Sequence, residues 1–264
     1  MLVGTASRIV VLLVALPAAA TAQLADPPPL LPGEVLGEVK LFDESLPPEP
    51  EDTLSSRVRA EAHAADGSRI LISLRERLLL WMDGTDTLRI APIAIGKGSR
   101  LHHEDQVWDF STPRGVRRVV SKQENPAWVP PDWHYVELAR DSGLVLLQLP
   151  ADTGALLLDG SRLVVRGDRI GRAYPDGRFE LLPADQEVAF GDTLFIPPHG
   201  TANRRIEGEL GAYKLDLGDG YMIHGTPHKT SIGNASTHGC IRMRDGDLEF
   251  LYYRVPVGTA VYIY

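Results

Sequence analysis

Two stretches decide how this chain is read: Ile223-His224-Gly225-Thr226 and, a short loop later, Ser236-Thr237-His238-Gly239-Cys240-Ile241-Arg242. They hold the chain's one cysteine, with His238 two positions before it and His224 sixteen before it. A thiol is a useful nucleophile only when a neighbour favours the thiolate or takes its proton, and imidazole does both near neutral pH. Cys240 therefore reads as a candidate nucleophile and a nearby histidine as its base. Gly225 and Gly239 let backbone turn sharply and approach a substrate where a side chain would clash. A lone cysteine is more often a small buried hydrophobe, but the polar, glycine-rich company of Thr237, His238, Gly239 and Arg242 argues against that here. His224, His228, His238 and Cys240 are also zinc-ligand types, with His-x3-His spacing. A thiolate tied to zinc is a poor free nucleophile, and the glycines would then serve no purpose, so no metal or other cofactor is expected.

Moving outward, the N-terminus carries Arg8, an apolar run over residues 9–16, Pro17, and small residues ending Ala20-Thr21-Ala22. That is the order of a secretory signal peptide, expected over residues 1–22. The run is short and proline-broken against the ~20 apolar residues of a membrane span; membrane anchoring follows only if the signal stays uncleaved. An exported protein, in the periplasm or cell wall, is the expectation. Export permits disulfides, yet one cysteine cannot form one internally, so an exported lone thiol is either hidden or used. A net charge of −8 argues against a nucleic-acid partner, which requires a basic face. Residues 23–67 are rich in proline and acid, as in Pro47-Pro48-Glu49-Pro50-Glu51-Asp52. They read as a tether with a short helix near 54–64, capped by Ser55 or Thr53.

The folded part is expected over residues 68–264 and mainly β. Ile70, Ile72 and Leu74 alternate with Leu71, Ser73 and Arg75 at strand period. Asp83-Gly84 supplies hairpin-turn chemistry between strands expected at 78–82 and 88–95. Residues 141–203 read as an inserted β-meander, with strands at 144–149, 155–158, 163–166, 178–182 and 193–196. This block is a small subdomain, a lid beside the site, or extra scaffold. A closing helix starts near Asp245, which can cap it; Asp247 and Glu249 suit its first turn, and Leu248, Leu251 and Tyr252 share one face. Trp128 and Trp133, in a proline-rich segment, form either a rim that stacks on substrate or simple loop packing. His102-His103 with Glu104-Asp105 has the look of a metal patch, weighed against an exposed polar loop.

The run His224-Gly225-Thr226, then Thr237-His238-Gly239-Cys240-Ile241-Arg242-Met243, resembles the signature of the YkuD-type L,D-transpeptidases. Weaker landmarks agree: Gly96-Lys97, Thr112-Pro113-Arg114-Gly115, Asn125-Pro126-Ala127-Trp128 and Gly208-Glu209-Leu210-Gly211-Ala212-Tyr213. The resemblance covers residues 68–137 and 204–264. It implies an L,D-transpeptidase-like β-sandwich with a short C-terminal helix, and peptidoglycan stem peptides as acyl donor and acceptor. It further implies Cys240 as nucleophile, His224 as general base, and the Gly225 carbonyl as the group orienting His224. The N–H groups of Gly239 and Cys240 are oxyanion candidates. His238, Arg242, Thr237, Tyr221 and Tyr213 are candidate substrate-binding residues. His238 is read either as shaping the pocket or as a structural histidine, and Arg242 either as a substrate-carboxylate fork or as a brace against an acid such as Asp245. The same site with water as acceptor gives an L,D-carboxypeptidase or a crosslink hydrolase; a wall-binding module is the remaining alternative. Two departures bear on substrate preference: the 141–203 block, and Arg114 where the family's usual stretch is Thr-Pro-Thr-Gly.

Overall fold

The computed structural model describes residues 53–264. The signal peptide and most of the tether expected upstream lie outside the described residues. Helix α1 (Thr53–Ala64) comes first, with Val58 and Ala62 buried four residues apart on one face. Strands β1 (Ser68–Ser73), β2 (Leu78–Asp83) and β3 (Asp86–Pro92) then run antiparallel. Next are β4 (Ile95–Gly96), the hairpin β5 (Arg100–His103) and β6 (Gln106–Asp109), then β7 (Gly115–Arg118) and β8 (Ser121–Glu124). Helix α2 (Asp132–Ser142) leads into β9 (Val145–Gln148), β10 (Ala155–Leu156), β11 (Arg162–Arg166) and β12 (Arg169–Ala173). The strands β13 (Phe179–Leu181), β14 (Val188–Phe190) and β15 (Thr193–Ile196) follow. The chain finishes with β16 (Tyr213–Asp216), β17 (Met222–His224), β18 (Ala235–Thr237), β19 (Ile241–Arg242), helix α3 (Asp245–Arg254) and β20 (Ala260–Ile263).

Two sheets make the sandwich. One has the order β3-β2-β1-β20-β7, and the other β19-β17-β16-β8. Because side chains alternate across a strand, each sheet presents every second residue to the layer between them. The first contributes Ile70, Ile72, Leu79, Trp81, Val261 and Ile263; the second contributes Leu215, Ile223 and Ile241. Helix α3 closes this core with Leu248 and Leu251. The intervening residues of the first sheet, Leu71, Leu80 and Tyr262, point the other way and are covered by Val58 and Ala62 of α1. The expected short helix thus has a packing role: it seals the outer face of a sheet buried on both sides.

Helix α3 is the expected closing helix, with a correction at its start. Asp245 is its first residue, not its cap; the residue before it, Arg244, makes no side-chain cap bond. The Asp245 carboxylate instead turns back onto the loop at Gly211 and Gly225, facing the Ala212 N–H at 3.5 Å. A β-carbon at Gly225 would collide with that carboxylate and press on the Gly211 backbone, so a side chain there would displace the Asp245 contact. At the other end, Lys122 of β8 reaches through the core-facing side of its sheet. It donates to the Tyr252 carbonyl and, at 2.9 Å, to that of Val255. A cation on the last carbonyls of a helix satisfies acceptors that have no intrahelical partner. Burial holds the Lys122 ammonium below the usual lysine range.

Residues 141–203 are β-rich, but they are not one meander. Strands β10 to β13 form an antiparallel four-stranded meander, whereas β9 and β15 pair in parallel, with β14 beyond them. Strands β12 and β14 were not expected, and α2, missed entirely, precedes the block. The second sheet packs on α2 through Tyr135, Ala139, Leu194 and Ile196, joined by Leu144 and Leu146. Buried Arg204 ties this region together, donating to the carbonyls of Pro130 and Pro197 at 3.0 Å each and pairing with Asp132 at the start of α2. The block is thus fastened to the back of a helix.

Candidate active site

The sheet β19-β17-β16-β8 has one face in the core, and its other face floors a cleft of about 930 Å³. Register explains which residues arrive there. His224 sits opposite Lys214 on one side and opposite Arg242 on the other. Core-facing Leu215, Ile223 and Ile241 occupy the alternate positions. Cys240, two residues before Arg242, falls on the same face as Arg242 and His224, diagonally across neighbouring strands. Cys240, His224, Arg242, Lys214 and Met222 all line the cleft.

His224 is buried and its Nδ1 lies 2.7 Å from the Gly225 carbonyl. A carbonyl accepts only, so Nδ1 carries the proton and Nε2 is left as the basic nitrogen. Burial, then the positive charges of Arg242 and Lys214, press the His224 pKa down to about 4, against the pull of the Gly225 carbonyl. Burial pushes the Cys240 thiol up, opposed by the Met222 backbone and by Arg242. At neutral pH the cleft therefore holds a thiol and a neutral imidazole. The sulfur's own contact is a weak one, to the Gly220 carbonyl at 3.8 Å.

The loop carrying Cys240 is pinned from both ends by residues 94–97. Ala94 exchanges backbone bonds with Arg242, and the Lys97 N–H reaches the Thr237 carbonyl at 2.8 Å. Buried Thr112 locks the middle, its hydroxyl accepting from the Gly96 N–H at 2.8 Å and donating to the Gly239 carbonyl at 2.9 Å. Gly239 has φ +115°, and a β-carbon there would press on Tyr221 and the Ser111 carbonyl. Thr237 orients the turn, donating to the Cys240 carbonyl at 2.6 Å and accepting from the Gly239 N–H at 3.2 Å. That last bond occupies the Gly239 N–H expected to face an oxyanion.

His238 is held by a network that sequence reasoning missed. Its Nε2 is 2.7 Å from Glu137 of α2, and Lys97 binds the same carboxylate at 2.8 Å. The ring stacks on Trp133 at 4.0 Å and meets the edge of Phe110 at 4.5 Å. Burial lowers the His238 pKa, and the Glu137 charge opposes this. Arg242 turns not to Asp245 but towards Glu209, at 3.6 Å. Tyr221 lines the cleft under the Arg117 guanidinium. Tyr213 does not: it lies on the core side of β16, its hydroxyl 3.2 Å from Glu249 and 3.3 Å from Tyr253. Trp128, Trp133 and His134 form one aromatic cluster along the cleft. His102 and His103 end β5 at a hairpin. Residues 141–203 supply no side chain to the cleft lining. The block buttresses α2, whose other side presents Trp133, His134 and Glu137.

Helix α2 had signals in the sequence. Pro131 precedes it, Asp132 opens its first turn, and Gly143 ends it at φ 68° with its N–H on the last carbonyls. Its aromatic and β-branched residues, poor helix formers, hid it.

A thiol and a tautomer-fixed imidazole on one face of a sheet cleft is an arrangement suited to cysteine-dependent acyl transfer. The family model of the L,D-transpeptidase catalytic domain (YkuD) matches residues 67–263, and the chain belongs to that family. The probable L,D-transpeptidase ErfK/SrfK of Salmonella typhimurium is 28% identical over 196 residues, which is 74% of this chain and 43% of the relative. Its Escherichia coli namesake is 29% identical over the same shares. The chain thus spans less than half the length of these curated relatives. Among solved structures, an L,D-transpeptidase from Xylanimonas cellulosilytica superposes with a TM-score of 0.40 at 14% identity, covering 76% of this chain and 62% of that one.

Proposed function

We propose that this protein is an exported peptidoglycan L,D-transpeptidase that crosslinks stem peptides through a thioester on Cys240. The observation that carries the reading is the shared cleft face of Cys240 and His224, with His224 Nδ1 fixed on the Gly225 carbonyl. His224 Nε2 takes the thiol proton as sulfur attacks the carbonyl of the L-centre preceding the terminal D-alanine. The carbon–nitrogen bond breaks, and the D-alanine amine leaves with the proton returned by His224. A side-chain amine on a neighbouring stem then attacks the thioester, giving up a proton to His224. The carbon–sulfur bond breaks, an amide forms, and the proton returns to the sulfur. Because both partners start neutral, deprotonation accompanies attack instead of preceding it.

With the Gly239 N–H engaged by Thr237, the Cys240 N–H is the oxyanion donor in this reading; one such donor contributes on the order of 3 kcal/mol. Arg242 and His238 shape the substrate-binding walls. The test is mass spectrometry of tetrapeptide muropeptides incubated with protein starting at Gln23, beside Cys240→Ala. Crosslinked dimer with loss of D-alanine, absent from the variant, is expected. Tripeptide alone would make water the acceptor and the protein a carboxypeptidase. No product from either protein would remove the reading.

A further inference from the structure

Arg242 and Glu209 face each other in the cleft without closing a hydrogen bond. Their 3.6 Å separation is beyond hydrogen-bonding reach, and both side chains retain contact with the cleft, at 18% and 23% exposure. Arg242 Nε is buried with no acceptor. A buried, unmet donor on a charged group is costly, and in a cleft it marks where a ligand atom completes the set. Glu209 is held from its far side: His228 Nε2 lies 3.3 Å from Oε2, leaving Oε1 turned to Arg242. The cleft therefore presents a guanidinium and a carboxylate side by side, each with unused bonding capacity.

Such a pair discriminates by charge pattern. A ligand carrying only a carboxylate gains Arg242 but is repelled by Glu209. A ligand carrying only an ammonium gains Glu209 but is repelled by Arg242. A carbon bearing both groups meets two opposite partners at once, and its carboxylate supplies the acceptor that the guanidinium edge lacks. We infer that Arg242 and Glu209 form a subsite for a zwitterionic amino-acid head, and that Glu209 is a specificity-determining residue. This rests on the transpeptidase reading above. It assigns the pair to the side-chain end of a diamino diacid at the third position of the stem, where ammonium and carboxylate share one carbon.

The test compares two synthetic tetrapeptide donors that differ only at that head: one with the free ammonium and carboxylate, and one with the same amine acetylated. Formation of the Cys240 thioester is followed by intact-protein mass spectrometry in the wild type and Glu209→Gln. The wild type should acylate at least about tenfold faster with the free head, the loss expected when one charge-assisted hydrogen bond is removed. In Glu209→Gln the two rates should converge. Equal rates with both donors in the wild type would overturn the subsite. So would a Glu209→Gln protein that accelerates both donors alike, since Glu209 would then merely repel the terminal carboxylate. If neither donor acylates Cys240 in the wild type, the transpeptidase reading itself fails, and the two failures are told apart. Thioester formed on the variant by either donor also reports that it is folded.

Discussion

The two faces of the sheet β19-β17-β16-β8 divide the molecule's tasks residue by residue. On the core face stand Leu215, Ile223 and Ile241, each essentially without solvent contact. One position along each strand, the other face carries Lys214, His224 and Arg242, with Cys240 on the same side. The strand's period of two lets a few residues supply both stability and chemistry, and a one-residue slip would exchange the two sets. The faces should therefore respond to mutation in separable ways.

The largest contrast sets Cys240→Ala against Ile223→Ala. The first should lower turnover at least about a thousandfold, as loss of a nucleophile does, while leaving the melting temperature nearly unchanged. The second should cost about 2–5 kcal/mol of stability by opening a core cavity, yet retain turnover per folded molecule at low temperature. Thermal melts and single-turnover acylation on both proteins check this. A Cys240→Ala protein that unfolds readily would break the division of faces.

A smaller effect tests a cleft residue that also bears on stability. His224 is buried and neutral, with a pKa of about 4 against 6.5 for an exposed imidazole. The unfolded chain therefore binds a proton near pH 6.5, and the folded chain only near 4. Acid favours the unfolded state through this window, so stability present above pH 6.5 falls as pH drops towards 4. The loss from this group is about 3 kcal/mol. Denaturant midpoints at pH 7 and pH 4 should fall further in the wild type than in His224→Gln. Acylation should stay level from neutral pH to about pH 5, because the base remains unprotonated there.

What the sequence made legible follows the same physics. The strand alternation at 70–74 and the Asp83-Gly84 turn are local signals, and both strands appear where alternation placed them. The common position of His224 and Cys240 rests on residues close in the chain, so motif spacing came near to the arrangement. Glu137, Lys97 and Thr112 reach the Cys240 loop from far along the chain, and their contacts depend on a tertiary arrangement that no spacing encodes. Tyr213 was misplaced for a related reason. Whether a strand residue faces cleft or core depends on register, and Tyr213 shares the parity of Leu215.

Glu137 sharpens the comparison from outside the sheet, because it brings a helix into the cleft that the strand period does not describe. Its carboxylate binds both Lys97 and His238, at 2.8 and 2.7 Å. Hydrogen bonds from both hold its own pKa below the usual range, against the opposing effect of burial. Removing that charge in Glu137→Gln takes away the influence that favours protonated His238. Burial, Lys97 and Arg242 then act unopposed, so His238 should titrate at lower pH than in the wild type. The ring should stay in place, because Trp133 and Phe110 hold it by stacking and edge contact. A half-exposed ion pair contributes no more than about 1 kcal/mol, so turnover should fall at most about fivefold. NMR titration of the His238 ring resonances reads the shift directly. An unmoved titration would leave Glu137 a packing residue of α2 and confine the site's electrostatics to the sheet.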